Sequence, residues 1–273
     1  MTAGNETVPT LTSDVRAEER LRACTARAVE VLHDLVRELS LTESELHAVI
    51  AYLTRVGSAD EFMLLSDVTH TSILVDELTH ASTGDRATSS NVLGPMYRGG
   101  ADVSETPAVI ARVDQGDDPL TLSGQVSDAA TGAGIGGALV DIWQTNQAGL
   151  YDDQDPRQPA GNLRGVVRCD DRGGYQVRTV IPGPYRIASM NGPVYALLNS
   201  LGRHDNRPGH IHLRISAAGY EPLTTMLFMA GDPWLDDDVI GAVKRELVIT
   251  PRRTADRISE AEFDVSLAPA SQR

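Results

Sequence analysis

Apolar side chains recur at helical spacing through the first eighty residues. Side chains three and four positions apart share one face of a helix. Such a stripe is formed by Ala28, Val31, Leu32, Leu35 and Leu39. Thr42 with Glu45, and Ser58 with Glu61, have the spacing of capping boxes, and apolar residues follow each pair. The pattern predicts three helices joined by short breaks.

From about residue 84 the helical period gives way to short alternating runs between Gly, Pro and other turn residues. These runs predict strands at 122–126, 139–144, 175–180, 210–216, 224–228 and 246–249. Strands without long helices between them favour an antiparallel β-sandwich. We therefore predict a mainly β protein with an N-terminal helical domain at 1–100 and a β-sandwich domain at 101–273.

Charge and composition exclude some partners. The 273 residues include 24 Lys and Arg against 38 Asp and Glu, a net charge of −14. Nucleic acid and anionic membranes need a basic surface, so we expect neither as a partner. No apolar run approaches the roughly 18 residues of a membrane span, and the first 20 residues lack a secretory signal pattern. Cys24 and Cys169 are too few for a disulfide framework. We expect a cytoplasmic protein.

The strongest chemical signal is a pair of histidines. In the strand at 210–216, His210 and His212 share one face with Arg214, and the apolar residues between them share the other. Two imidazoles on one strand face can hold a metal ion. The alternative is an ordinary pair of surface or hydrogen-bonded histidines. The segment at 185–207, which leads into this strand, is a long connection, and such connections are commonly functional.

The residues alone do not decide which metal would bind. Carboxylates would complete a ferrous site, and the nearby acids are Asp152, Asp153 and Asp155. Phenolates would suit a ferric ion, and Tyr151 and Tyr185 lie at loop junctions, where they also fit the description of ordinary rim tyrosines. Cys169 has no partner at zinc-site spacing, so a structural zinc site is disfavoured.

A set of motifs occurs in a characteristic order along the chain. They are LLSDV at 64–68, VLGPMY at 92–97, GLY at 149–151, IPGPY at 181–185, RHDNRPGHIH at 203–212 and AGDP at 230–233. By these motifs, which extend over about residues 25 to 250, the chain closely resembles the intradiol ring-cleavage dioxygenases, the catechol and hydroxyquinol 1,2-dioxygenase group.

The resemblance implies one non-haem Fe(III) per subunit. Carried over by motif, Tyr151 and His210 would be equatorial ligands, Tyr185 and His212 axial ligands, and a solvent molecule would complete the set. Two phenolates lower the charge of the ferric ion to a net +1, which suits a deprotonated diol. Tyr185 would leave the iron and accept a substrate proton, and Arg207 would stabilise negative charge on the ring.

The resemblance also implies a reaction. Both atoms of O2 would enter a 1,2-dihydroxybenzene, and the ring would open between its two hydroxyl-bearing carbons. Asp67 would accept a hydrogen bond from a third hydroxyl. We therefore expect hydroxyquinol (benzene-1,2,4-triol) to be converted to maleylacetate. The alternative is a catechol or chlorocatechol 1,2-dioxygenase, which gives a cis,cis-muconate.

The implied substrate pocket brings together distant parts of the chain. Its expected members are Leu64, Asp67, Val92, Leu93, Gly94, Pro95, Met96, Arg207 and Met226. Two features depart from the family. Met226 stands where the family has Gln or His, and residues 186–190 lack the Pro-rich sequence usual after the axial tyrosine.

Partners follow from the same resemblance. The N-terminal helices are expected to form a homodimer, with a lipid bound at the helical interface. A non-catalytic β-sandwich binding module with a helical extension is the alternative of another class. That alternative would not explain why two tyrosines and two histidines occur at the positions of metal ligands.

Overall fold

The computed structural model describes residues 15–81, 86–114, 116–188 and 190–270. Three parts of the sequence predictions lie outside these residues. They are most of the N-terminal 20 residues searched for a secretory signal, the end of the helical pattern near residue 84, and Ser189 of the 186–190 loop. Within the described ranges, no helix is both long and apolar enough to cross a membrane.

The predicted helices form in the expected place. The helices are α1 (Val15–Leu39), α2 (Glu43–Ser58), α3 (Phe62–Val68), α4 (Thr71–His80) and, much later in the chain, α5 (Pro193–Ser200). The first capping box is confirmed: the Thr42 backbone N–H donates to Glu45 Oε2 at 2.8 Å, and the Glu45 N–H donates to Thr42 Oγ1 at 3.3 Å. α4 is an additional helix beyond the three predicted ones.

The second predicted capping box is wrong. Ser58 is the last residue of α2, and its hydroxyl donates to the Thr54 carbonyl at 2.9 Å. Glu61 makes no side-chain cap to α3. Its carboxylate instead accepts the Val194 backbone N–H at 2.9 Å, at the start of α5. Glu61 therefore bonds to Val194, 133 residues away in the chain, and not to Ser58.

Five of the six predicted strands are present, and the sixth, predicted at 246–249, is a strand only at Val248–Ile249, because Arg245–Leu247 forms a 3-10 helix. The strands are β1 (Val103–Glu105), β2 (Ala108–Val109), β3 (Pro119–Asp128), β4 (Leu139–Gln144), β5 (Arg164–Arg168), β6 (Gly174–Val180), β7 (Tyr185–Arg186), β8 (Asn206–Arg207), β9 (His210–Ser216), β10 (Leu223–Met229), β11 (Val248–Ile249), β12 (Arg252–Arg253), β13 (Ser259–Glu262) and β14 (Val265–Leu267). The strands that the pattern missed have two to five residues, which is too short for alternation to show.

The sheets are mixed, so the predicted antiparallel pairing is correct for the long central strands and wrong for several shorter ones. One sheet has the order β1-β5-β4-β9-β10-β11 and the other β12-β13-β3-β6-β2, with β14 also paired to β3. The long central pairs are antiparallel. The parallel pairs are β1–β5, β2–β6, β10–β11, β13–β3 and β14–β3. Apolar alternation reports which face of a strand is buried and contains no information about strand direction.

One hydrophobic core joins the two sheets. Buried side chains of both contribute to it, among them Leu122 and Val177 from one sheet and Ile142, Leu213 and Ile215 from the other. Burial of each such side chain stabilises the fold by about 1.5–3 kcal/mol. The predicted face assignment of β9 is therefore correct for its apolar residues, and its histidines point away from this core.

The chain divides into two compact units, 1–58 and 59–273. In the first unit, apolar side chains of α1 and α2 are exposed, Leu32 and Leu39 by 58% and 60%. In the second unit, α4 is tied to later segments, because Ser90 donates to Asp76 at 2.9 Å. The units divide before the predicted boundary at residue 100, and the domain assignment of 1–100 and 101–273 stays a prediction.

Candidate active site

The two histidines of β9 converge on one point. His210 and His212 are both buried, and their Nε2 atoms lie 3.2 Å apart. The Nδ1 atom of His210 donates to the Pro208 carbonyl at 2.8 Å. Its proton therefore lies on Nδ1, and the lone pair of His210 lies on Nε2, the side that faces His212.

The two tyrosines come from separate turns that touch each other. Tyr151 follows β4 through a turn at Gly149, which has a φ of +76°. A Cβ at Gly149 would lie only 2.4 Å from the Pro184 carbonyl oxygen, so no other residue allows this approach. The rings of Tyr151 and Tyr185 lie 6.0 Å apart, edge to face.

Strand pairing brings Tyr185 to the histidines. Tyr185 of β7 lies opposite Arg207 of β8, so the long connection between them closes on itself. The ring of Tyr185 is 5.6 Å from that of His210. The segment that begins at 185 and the motif that ends at 212 are thereby joined into one site.

Arg207 is held by a buried carboxylate that the sequence reading missed. Its Nε and Nη2 donate to the two oxygens of Asp238 at 3.0 and 3.2 Å. Burial opposes the charge, but Asp238 and Tyr185 raise the pKa of Arg207 above its usual value. Nη1 lies 3.3 Å from His210 Nε2. Arg207 is therefore a fixed cation beside the histidines.

A cavity of about 120 Å³ opens beside these groups. Its lining residues are Leu64, Asp67, Val92, Gly94, Pro95, Met96, Tyr151, Gln154, Tyr185, Arg186, Ile187, Arg207, His212 and Ile240. An engineered cavity of similar size, about 150 Å³, holds one benzene molecule. The space therefore fits one aromatic ring.

Most of the predicted pocket residues line this cavity, but two do not. Leu93 is 39% exposed and points elsewhere. Met226 is buried behind Arg207, whose Nη2 contacts its sulfur at 3.6 Å. Sequence reasoning missed Gln154 and Ile240, whose positions in the chain give no local signal. The Gln154 side chain accepts the Tyr151 backbone N–H at 3.0 Å.

Asp67 is the acid that faces the cavity from α3. Burial raises the pKa of its carboxyl, while a hydrogen bond with Ser72 and the charge of Arg207 act in the opposite direction. A half-buried carboxyl in this position is well placed to recognise a polar group on a bound ring.

The donor set fits a metal ion. Burial and the charge of Arg207 lower the pKa of His210 to about 3, and burial lowers that of His212 well below its usual value, so both imidazoles are neutral. At an Nε2 separation of 3.2 Å, one ion can contact both nitrogens at the usual distance of about 2.1 Å. Burial and the neighbouring Tyr185 raise the pKa of Tyr151, and a cation would reverse that effect.

The carboxylates considered as ferrous ligands are engaged elsewhere. Asp152 pairs with Arg164, and Asp155 pairs with Arg157. Asp153 pairs with Arg98 at the surface. Among the residues that the structure describes, no group of three His, Cys, Asp or Glu side chains is arranged to hold a metal ion. The geometry favours the phenol and imidazole set.

Comparison with known proteins identifies the family of this chain. The family model for the catechol dioxygenase N terminus matches residues 18–86, and the dioxygenase model matches residues 92–269. A chlorocatechol 1,2-dioxygenase of Pseudomonas putida is 34% identical over 259 residues, which cover 94% of this chain and 96% of the relative. A hydroxyquinol 1,2-dioxygenase of Rhizobium sp. is 37% identical over 247 residues, with 88% and 82% covered.

A solved structure has the same fold. The hydroxyquinol 1,2-dioxygenase from Pseudomonas putida gives a TM-score of 0.85 at 34% identity, over 95% of this chain and 94% of that one. Buried imidazoles and phenols beside a ring-sized cavity are typical of an enzyme active site. The chain belongs to the intradiol ring-cleavage dioxygenases, a family of oxidoreductases. The resemblance expected from the motifs is confirmed.

Proposed function

We propose that this protein is an Fe(III)-dependent dioxygenase that opens hydroxyquinol to maleylacetate. The observation that carries the proposal is the convergence of two phenols and two imidazoles beside a ring-sized cavity. One Fe(III) per chain would be held by Tyr151, Tyr185, His210 and His212. Hard, anionic phenolates stabilise ferric over ferrous iron, which favours this metal over Fe(II).

When bound, the ferric ion activates the ring of a chelated diol toward O2. The chain supplies the rest. Tyr185 lies at the edge of the cavity, where its phenolate is placed to accept a proton from a substrate hydroxyl. Arg207 places a fixed positive charge at the cavity wall, where it stabilises negative charge that develops on the substrate. The apolar side chains of Leu64, Val92 and Ile240 limit access of water to the ring.

Asp67 is the basis for the choice of hydroxyquinol. A carboxylate facing the ring accepts a hydrogen bond from a third hydroxyl, which catechol lacks. A site built to bond a substrate hydroxyl discriminates strongly against the analogue without it. The relatives act on chlorocatechol as well as on hydroxyquinol by their names, so the preference of this chain has to be measured.

Oxygen uptake with hydroxyquinol, catechol and chlorinated catechols tests this proposal, together with identification of the products. We expect the highest kcat/KM for hydroxyquinol and maleylacetate as its product. Asp67→Ala should lower kcat/KM for hydroxyquinol by at least tenfold, which corresponds to about 1.4 kcal/mol, and leave catechol turnover much less affected. Equal losses for both substrates would contradict the role of Asp67. A protein that consumes no oxygen with any diol would contradict the activity.

The remaining parts of the proposal concern assembly and location. The exposed apolar side chains of α1 and α2 support a homodimer through the N-terminal helices, with a lipid as a further occupant of that interface. A cytoplasmic location agrees with the acidic composition and the two unpaired cysteines. Leu93 and Met226 stay predicted contributors to substrate choice, with Met226 acting through Arg207.

A further inference from the structure

The two histidines of the site are held in different ways. His210 has the hydrogen bond that a metal-binding histidine normally makes with its second nitrogen, here to the Pro208 carbonyl. The corresponding Nδ1 atom of His212 is buried and has no hydrogen-bond partner within the described part of the chain. The contacts of the His212 ring with its neighbouring side chains therefore matter for its orientation.

That contact is the indole of Trp143. Trp143 of β4 lies directly opposite His212 of β9 in the antiparallel register. Directly opposite side chains on neighbouring strands point the same way and touch. The two rings are stacked almost parallel, with centroids 4.6 Å apart and an interplanar angle of 9°. Among the residues that the structure describes, no other ring contact of either histidine is so close to parallel.

The backbone of Gly94 approaches the same imidazole. A Cβ at Gly94 would lie 3.2 Å from His212 Cε1, closer than ordinary van der Waals contact. Gly94 also has a φ of +74°, which side chains other than hydrogen rarely allow. The imidazole of His212 is therefore confined by the indole and by the glycine backbone.

Trp143 also contacts a second aromatic ring, that of Tyr97. The ring of Tyr97 lies 4.9 Å from the indole. The Tyr97 hydroxyl donates to Asp141 at 3.1 Å and accepts a hydrogen bond from Arg214 at 2.8 Å. Trp143 Nε1 is buried without a hydrogen-bond partner among the described residues. Trp143 therefore interacts with its surroundings here through the flat face of its ring and not through its N–H.

We propose that Trp143 is the positioning residue of His212, and that ring stacking holds the plane of the imidazole so that Nε2 faces the metal. This inference rests on the proposed iron-dependent function. Loss of the flat ring would leave the His212 imidazole confined on one side only, by the Gly94 backbone, so iron would be released faster. The hydrogen bonds of the Tyr97 hydroxyl with Asp141 and Arg214 do not involve the indole and would persist.

The test compares Trp143→Leu, Trp143→Phe and Trp234→Phe with the wild type. Trp234 is a matched control, because its ring lies 4.5 Å from His204, a histidine outside the candidate ligand set. Each protein is loaded with Fe(III), and iron release into excess ferric chelator is followed with time. Circular dichroism of the metal-free proteins checks the fold.

Removal of a partner of a metal ligand usually lowers metal affinity about 10- to 100-fold. If this loss lies in the dissociation step, Trp143→Leu should release iron faster than the wild type by the same factor. Trp143→Phe keeps a flat ring and should stay close to the wild type, as should Trp234→Phe. A wild-type release rate in Trp143→Leu would overturn the proposal. So would equal loss in Trp143→Phe, or in Trp234→Phe.

Two further results are informative. If Trp143→Leu does not fold, Trp143→Met takes its place with the same expected and contradicting rates. A wild-type protein that takes up no Fe(III) would overturn the proposed function and this inference with it. Normal iron binding with unchanged release in the folded Leu variant would overturn the role of Trp143 alone.

Discussion

At the level of single residues, the buried ion pair between Arg207 and Asp238 leads to a prediction about stability. Both side chains are almost completely buried, with 5% and 1% exposed. Removal of one partner leaves an unpaired buried charge, which typically costs about 3–5 kcal/mol. We predict a loss of this size in the free energy of unfolding for Asp238→Ala, measured by urea denaturation of the metal-free protein. Asp236→Ala, an exposed acid two residues earlier, should change stability by less than about 0.5 kcal/mol. Equal stabilities of both variants would contradict the assignment.

Cys169 gives a second prediction at this scale. Burial, followed by the charge of Asp170, raises the pKa of its thiol from 9.0 to about 11. The folded state therefore holds the proton more tightly than the unfolded state, so this contribution to stability is complete below pH 9 and is lost between about pH 9 and 11. At pH 8 we expect alkylation of Cys169 only after unfolding, as read by mass spectrometry. Rapid labelling of Cys169 in the native protein would contradict its burial.

Individual site residues differed in how far the sequence predicted them. His210 and His212 were assigned to one strand face by alternation, and the structure places them there. Tyr151 and Tyr185 were candidates from their place at loop junctions, but only the family resemblance favoured them as ligands over ordinary rim tyrosines, since a phenol beside a turn is common. Asp238 is the last of three consecutive acids, and no local pattern separates the buried one from its exposed neighbours. Its role depends on a tertiary contact.

At the level of elements, periodicity predicted the long helices and strands but failed where partners are distant. The central strands β4 and β9 have the predicted bounds. The short parallel edge strands were missed, because a two-residue strand is defined by its neighbour and has no period of its own. The same reason accounts for Glu61, whose partner in α5 is invisible to local spacing.

The contact between Glu61 and α5 leads to a prediction. The Glu61 carboxylate accepts the Val194 N–H, which no residue within the helix can bond. We expect Glu61→Ala to lower the free energy of unfolding by about 1 kcal/mol, as for loss of a helix cap. Ser58→Ala, which would break the predicted but absent capping box, should have a much smaller effect. Chemical denaturation that ranks Ser58→Ala as the more damaging change would contradict this assignment.

At the level of the whole molecule, the exposed apolar side chains of α1 and α2 favour association of two chains. Light scattering should therefore give twice the chain mass of 29.3 kDa. Leu32→Glu, in the middle of α1, should shift the protein toward the monomer. Leu201→Glu, at a similarly exposed leucine after α5, should leave the dimer intact. A single species of 29.3 kDa at all concentrations of the wild type would contradict dimerisation.

The visible absorption spectrum of the Fe(III)-loaded protein tests the phenolate and imidazole site most directly. Charge transfer from the tyrosinates of residues 151 and 185 to Fe(III) should give a broad visible band and a burgundy colour. Addition of hydroxyquinol without oxygen should shift this band, because the diol enters the same coordination sphere. A colourless iron-loaded protein, or a band that does not respond to the diol, would contradict the assignment of these residues as ligands.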